Sequence, residues 1–176
     1  MNGDTKMKNF FLKKSDKREE YIRNVAQAVK RYVDPVIEHF SESFGDGKVF
    51  IQPTPFQIAE YYGIKCQYIK LNGDIPSYLN KDKKMIYISD VYKNDSYGSR
   101  QLCAHELGHF FLHDSQFSAM NNDSINEFLD KETIKEYEAN VFSILLMPQI
   151  MGADYKDWHN FSPRKLNRIL YDRVMK

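Results

Sequence analysis

The segment His-Glu-Leu-Gly-His at residues 105–109 constrains the fold of this chain more than any other feature. Residues four apart share one face of an α-helix, so His105 and His109 can bind a single tetrahedral zinc ion if the segment is helical. Glu106 then lies beside the metal, where a carboxylate can accept a proton from a water and pass it to a leaving amine. The pentapeptide therefore predicts a helix that carries a hydrolytic metal site.

The residues around this motif support a buried helix, which we predict over about residues 99–113. Gly108 leaves room for another segment to approach the motif closely. The other faces carry apolar side chains that can be buried in a core, namely Leu102, Leu107, Phe110 and Phe111. The same five residues could occur by chance in an ordinary core helix, but this setting favours a metal site.

A hydrolytic zinc site needs a third protein ligand, and a second long helix offers candidates. This helix is predicted from residue 125 or 131 to residue 147. Glu136 lies on a stripe of small and polar residues that would let two helices approach closely, with Ala139, Asn140 and Ser143. Glu138 shares its side with apolar residues. The small-residue stripe makes Glu136 the preferred ligand. Because periodicity alone does not fix the orientation of the helix, Glu138 and His113 remain alternatives.

Three further polar residues near the motif have predicted supporting roles. Asn140 lies one turn beyond Glu136 and could hydrogen-bond the ring nitrogen of a ligating histidine that does not face the metal. Otherwise it would be an amide on the helix surface. His113 is about 12 Å from His105 along the helix axis and is expected to cap or pack the helix end. Cys103 is expected to point away from the metal.

Two segments of the sequence resemble the ImmA/IrrE family of metallopeptidases. Residues 104–109 followed by Leu112-His113 match the family's helix motif. Residues 136–148 are similar to the family segment in which a glutamate three residues before an Ala-Asn pair supplies the third zinc ligand. The resemblance thus implies one zinc ion held by His105, His109 and Glu136, with Glu106 as the catalytic residue. It also implies a bacterial or phage protein that cuts or disables a helix-turn-helix repressor.

Charge and cysteine content limit the compartment and the partners. Lys and Arg total 25 against 24 for Asp and Glu, and the net charge of +1 gives no long-range field that favours nucleic acid or an anionic membrane. No run approaches the roughly 20 apolar residues of a membrane span. Cys66 and Cys103 lie far apart in sequence, which argues against a disulfide scaffold. We expect a cytoplasmic protein with a protein partner, and no direct binding to nucleic acid or membrane.

The order of the predicted elements indicates a mainly helical α+β domain with a small β-sheet packed beside the HExxH helix. Residues 1–14 are predicted to be a mobile N-terminal segment, and residues 15–176 a single zinc metallopeptidase domain. Helices are predicted from residue 15, with a kink or end at Pro35, over residues 56–62, over the two segments above, and from residue 163 towards 174. Strands are predicted over residues 64–71 and 85–89, with a short one at 78–79, and a polar loop includes residues 120–123.

Two functions are compatible with these residues. The first is a zinc-dependent endopeptidase that cleaves or inactivates a helix-turn-helix repressor of a phage or mobile element. The second is a zinc-containing regulator that binds a transcription factor without proteolysis, or one component of a two-gene module similar to a toxin–antitoxin pair. An intact Glu106 favours the enzyme, because a structural zinc needs no base and usually fills its fourth position with a protein ligand.

Overall fold

The structure, a computed structural model, describes residues 16–42, 52–72, 75–113 and 131–147. Its elements confirm the predicted mainly helical α+β fold with a small sheet. The helices are α1 (Asp16–Glu42), α2 (Pro55–Tyr61), α3 (Ser96–Leu112) and α4 (Lys131–Leu146), and the strands are β1 (Lys65–Ile69), β2 (Ser77–Asn80) and β3 (Met85–Ser89), with a 3-10 turn at Asp90–Tyr92. None of the helices in these ranges is long and apolar enough to span a membrane.

The three strands form one mixed sheet in the order β1-β3-β2. Strand β3 is central and runs parallel to β1 and antiparallel to β2. Ile86 and Ile88 of β3 are fully buried and pack into the core. Strand β2 pairs with β3 alone, so its other edge carries no strand within the described residues, and β2 also contacts α3. The short strand predicted at residues 78–79 is thus real and one residue longer at each end.

Helix α1 continues through Pro35, and the prediction that it could end there is wrong. A proline in a helix interior removes one hydrogen bond and is unfavourable on its own. The apolar stripe continues beyond it, however, because Val36 and Ile37 are buried in the same core as Val33. Burial of these side chains against the other helices holds the helical path as far as Glu42.

Caps set the ends of the helices that lead to the site. Thr54 and Gln57 form a reciprocal capping box at the start of α2. Gly63, with a φ of 71°, ends that helix, and the Ile64 N–H then donates to the Ala59 carbonyl as the chain enters β1. Helix α3 begins at Ser96, three residues before the predicted start, because the Asp95 carboxylate accepts hydrogen bonds from the first turn.

Helices α3 and α4 pack directly on each other, and the backbone of α4 lies close to Gly108. A Cβ atom placed on Gly108 would lie 2.8 Å from the Ala139 Cα atom. Such a distance is shorter than real packing allows, so only glycine fits at this crossing without a shift of the backbone. The sequence-based expectation of a close approach at Gly108 is therefore confirmed, and the segment that approaches is α4.

The two cysteines are free thiols, as expected, but they are neighbours in space. The Sγ atoms of Cys66 on β1 and Cys103 on α3 are 3.8 Å apart. Cys103 is completely buried in the core, and this burial raises the pKa of its thiol. The contact joins the sheet to α3, and the spacing of the cysteines in the sequence does not reveal it.

Three sequence predictions lie outside the described residues. They are the mobile segment over residues 1–14, the polar loop at residues 120–123 and the last helix from residue 163 towards 174. Two predicted helix starts, at Ser15 and at residue 125 for α4, also lie outside the described residues. The predictions for residues 16–42, 52–72, 75–113 and 131–147 are the ones that the structure addresses.

Candidate metal centre

The structure brings three potential metal ligands together at the crossing of α3 and α4. The Nε2 atoms of His105 and His109 are 3.0 Å apart. They lie 3.3 Å and 3.2 Å from the two carboxylate oxygens of Glu136. Two ligands bound at zinc's usual distances in a tetrahedron are separated by about 3.3 Å. The three side chains are therefore spaced as a zinc ion requires, and they are the three residues predicted from the sequence.

The local sequence explains why these side chains meet. His105 and His109 are four residues apart on α3 and so project from one face. The Gly108 contact lets α4 come close enough for Glu136, one turn before Ala139, to reach both rings. The imidazoles are largely buried, at 18% and 19% exposure, whereas Glu136 is 57% exposed and reaches in from the rim of the site.

An amide on α4 orients the first histidine. Asn140 Oδ1 lies 3.0 Å from His105 Nδ1. Because an amide oxygen only accepts hydrogen bonds, His105 Nδ1 donates, which leaves Nε2 as the ring atom that would bind a metal. The predicted hydrogen bond between Asn140 and a histidine is thus present, and the histidine is His105. The Ser143 hydroxyl donates to the backbone carbonyl of Asn140.

The two alternative ligands, His113 and Glu138, lie outside the three-residue cluster and bind each other. His113 Nε2 is 2.7 Å from Glu138 Oε2, and both side chains are only 8% exposed. His113 Nδ1 is 2.9 Å from His109 Nδ1. His113 is the C-cap residue of α3, as expected of a helix end, but its contact with His109 was missed. The four-residue spacing from His109 to His113 is the sequence signal that could have revealed it.

Glu106 faces a cavity of about 470 Å³ that also exposes His105, His109 and Glu136. The β2 segment from Pro76 to Leu79 forms one wall of this cavity. Glu106 is only 5% exposed, and one of its oxygens, Oε1, accepts a hydrogen bond from the Ser77 hydroxyl at 2.7 Å. No motif in the sequence points to Ser77, because its position depends on how the sheet packs against α3.

The electrostatics of the cluster suit a divalent cation. Hydrogen bonds from His105 and His109 lower the pKa of Glu136 well below its usual range. Burial opposes protonation of His105, but its hydrogen bond to Glu136 and the nearby charges of Glu106 and Glu136 outweigh burial and raise its pKa. The neighbouring carboxylates thus favour a positive charge at this position. A bound metal ion would replace that positive charge.

Comparison with known families places this site in context. The family model for peptidase M78, described as the IrrE N-terminal-like domain, matches residues 59–155. This range is more than half of the 176-residue chain. The chain belongs to this family. Its membership confirms the resemblance to ImmA/IrrE metallopeptidases, and the IrrE N-terminal-like region contains every residue of the candidate metal centre, whereas α1 lies before it.

A phage protein is also related to this member of the IrrE-like family. An uncharacterized immunity region protein 2 from Bacillus phage phi105 is 30% identical over 112 residues. The alignment covers 62% of this chain and 68% of the phage protein. No solved structure matches the chain with significance. The family makes the chain a metallopeptidase-type protein, and the phage relative is named for an immunity region.

Proposed function

We propose that the protein is a zinc-dependent endopeptidase that cleaves, and so inactivates, a helix-turn-helix repressor of a phage or mobile element. The observation that carries the proposal is the position of Glu106. Its buried carboxylate faces the same cavity as the three ligand side chains, on a helix whose two histidines bracket it. A structural zinc site does not require a proton-accepting carboxylate beside the ion.

Zinc is the metal that best suits the ligand set. Two imidazole nitrogens and one carboxylate form the pattern of catalytic zinc sites that leave a fourth position for water or substrate. Among the described residues the cluster contains three donors, and it opens onto the cavity rather than into the core. These features favour a catalytic site over a closed structural one.

The residues around the cluster have distinct parts in peptide hydrolysis. A zinc ion held by His105, His109 and Glu136 would activate a water for attack and polarise the scissile carbonyl. Glu106 accepts a proton from the attacking water and passes it to the leaving amine. The Ser77 hydroxyl donates to Oε1 of Glu106, which orients the carboxylate and leaves Oε2 for the proton transfer.

The open edge of β2 supports an extended peptide as the substrate. This strand borders the cavity and pairs with β3 alone among the described strands. An extended segment can add to such an edge through main-chain hydrogen bonds, with little dependence on side-chain sequence. Tyr78, 41% exposed on β2, offers a side-chain contact. A substrate must therefore expose a stretch of unfolded chain at the cleavage site.

The immunity-region relative supports a phage repressor as the protein substrate. The name of the phi105 protein places it in an immunity region, and the net charge of +1 in the present chain argues against direct action on DNA. The competing function is a regulator that docks onto the same repressor without cutting it. Both functions require a protein partner, and they differ in whether that partner is left intact.

Incubation with a repressor separates the two functions. The partner to use is the helix-turn-helix protein encoded closest to the gene for this chain. We expect mass spectrometry to find two repressor fragments with zinc present and none after treatment with 1,10-phenanthroline, because removal of the metal eliminates catalysis. An intact repressor in a stable complex would favour the docking regulator. The absence of both cleavage and binding would contradict the proposed partner.

A further inference from the structure

The buried pair His113–Glu138 lies next to the metal centre, and the proposed chemistry does not use it. His113 contacts the ligand His109 through Nδ1 and the Glu138 carboxylate through Nε2, at 2.9 Å and 2.7 Å. Both side chains are 8% exposed. Burying a carboxylate and an imidazole is unfavourable unless each is well hydrogen-bonded. The three groups therefore form a connected chain that begins at the metal ligand.

When His113 is neutral, the chemistry of these groups fixes where the hydrogens lie. A carboxylate only accepts hydrogen bonds, so His113 Nε2 carries a hydrogen and donates it to Glu138. A neutral imidazole has one N–H, which leaves a lone pair on His113 Nδ1. That atom then accepts a hydrogen bond from the Nδ1–H of His109. With that hydrogen on Nδ1, a metal held by the cluster would take the Nε2 atom of His109, on the side where a Glu136 oxygen lies at 3.2 Å.

We propose that His113 and Glu138 are positioning residues for the metal ligand His109. Glu138 sets the tautomer of His113, and His113 holds the ring of His109 with its Nε2 lone pair directed at the metal. This inference rests on the proposed function because it concerns the same metal site. His109 would then be oriented through two hydrogen bonds, by His113 and Glu138, whereas one hydrogen bond to Asn140 orients His105.

The geometry of α4 explains why His113 is needed between Glu138 and the ligand His109. Glu136 and Glu138 are two residues apart, so they project from the helix about 200° apart. Glu138 therefore cannot reach the metal face that Glu136 occupies, but it does reach the end of α3, where His113 lies. One segment of α4 thus contacts His105 and His109 on α3 and its C-cap residue His113, which follow one another at four-residue spacing.

The first test compares variants that keep or remove the hydrogen-bond acceptor at residue 113. In His113→Asn the side-chain oxygen can take the place of Nδ1, whereas His113→Leu has no acceptor. Zinc affinity is measured on the full chain by competition with a chromophoric chelator. We expect His113→Leu to bind zinc about 10- to 100-fold more weakly than wild type, and His113→Asn to recover most of that loss. Equal losses in the two variants would overturn the proposal.

A double variant separates positioning from folding. His113→Leu alone leaves the Glu138 carboxylate buried without its partner, which destabilises the protein by itself. His113→Leu/Glu138→Leu removes both polar groups and leaves no uncompensated charge. We expect this variant to keep the helical circular dichroism and thermal unfolding of the metal-free wild type but to show the same loss of zinc affinity. Wild-type affinity in the double variant would overturn the proposal.

The tautomers provide a spectroscopic test that a purely structural role would not satisfy. Long-range proton–nitrogen NMR spectra of the zinc-loaded chain should show His113 protonated at Nε2 and His109 protonated at Nδ1. The opposite tautomer of His113 would overturn the positioning role alone if wild type still binds zinc in a manner that depends on His105 and Glu136. A wild-type chain that binds no zinc would instead overturn the positioning role and the proposed function together.

Discussion

Glu106→Gln is expected to lower the rate of peptide cleavage by about 100- to 10,000-fold while zinc binding and the fold are retained. Glutamine has the shape of glutamate but cannot accept the proton of the attacking water. Its side-chain oxygen can still accept the hydrogen bond from the Ser77 hydroxyl, which is 2.7 Å from Glu106 in the wild type. The buried position, 5% exposed, therefore stays filled and hydrogen-bonded.

The measurement for this variant combines repressor cleavage with zinc content on the same preparation. Wild type and Glu106→Gln should contain the same amount of zinc, and only wild type should produce fragments. The variant should still bind the repressor, because the cavity wall at β2 is unchanged. Zinc loss in Glu106→Gln would mean that Glu106 coordinates the metal. Cleavage near the wild-type rate would mean that another group acts as the base.

Glu136→Ala is expected to weaken zinc binding by more than about 100-fold, a larger effect than the loss of a residue that only orients a ligand. The substitution removes a carboxylate that contacts both histidines, at 3.3 Å and 3.2 Å. Two imidazoles must then hold the ion against water. Because Glu136 is 57% exposed, its replacement leaves no cavity in the core, so the fold should survive.

A glutamate elsewhere provides the control for this variant. Glu38 is exposed on α1, and Glu38→Ala changes the net charge of the chain by the same amount as Glu136→Ala. Zinc affinity from chelator competition should be near wild type for Glu38→Ala and greatly reduced for Glu136→Ala. Equal affinities in the two variants would show that Glu136 is not a ligand. The third ligand would then have to be sought in another residue.

The proximity of His105, His109 and Glu136 could be predicted from the sequence because helical periodicity favours it and the family resemblance implies the same three residues. Four-residue spacing puts His105 and His109 on one face, and the small residue Ala139 beside Glu136 indicates which face of α4 can come close. Gly108 is the matching small residue on α3, and the structure shows it in contact with Ala139. Two facing helices with a small residue at the crossing leave few ways to arrange the ligand side chains.

The supporting contacts could not be predicted because they join elements that are distant in sequence. Ser77 is 29 residues before Glu106 and reaches it only when β2 packs beside α3. The contact between Cys66 and Cys103 likewise depends on how the sheet docks onto the helix. His113 appeared too far from the metal to matter when distance was measured along the helix axis, and the contact through His109 was overlooked.

The path of α1 shows a different limit of local sequence patterns. Pro35 is a local signal for the end of a helix, and a local interpretation gave it too much weight. The burial of Val36 and Ile37 in the common core depends on the tertiary structure, and it outweighs the loss of one backbone hydrogen bond. Local propensity is a weak guide wherever an apolar stripe continues past the residue that breaks the pattern.

Zinc content per chain is the most direct test of a metal centre formed by His105, His109 and Glu136. The full chain is purified without added metal, incubated with zinc, passed through a desalting column and analysed by elemental mass spectrometry. We expect about one zinc ion per wild-type chain, as a single three-ligand site would hold, and almost none in His105→Ala/His109→Ala. Zinc content in the double variant equal to that of wild type would contradict the claim that His105, His109 and Glu136 form the metal centre.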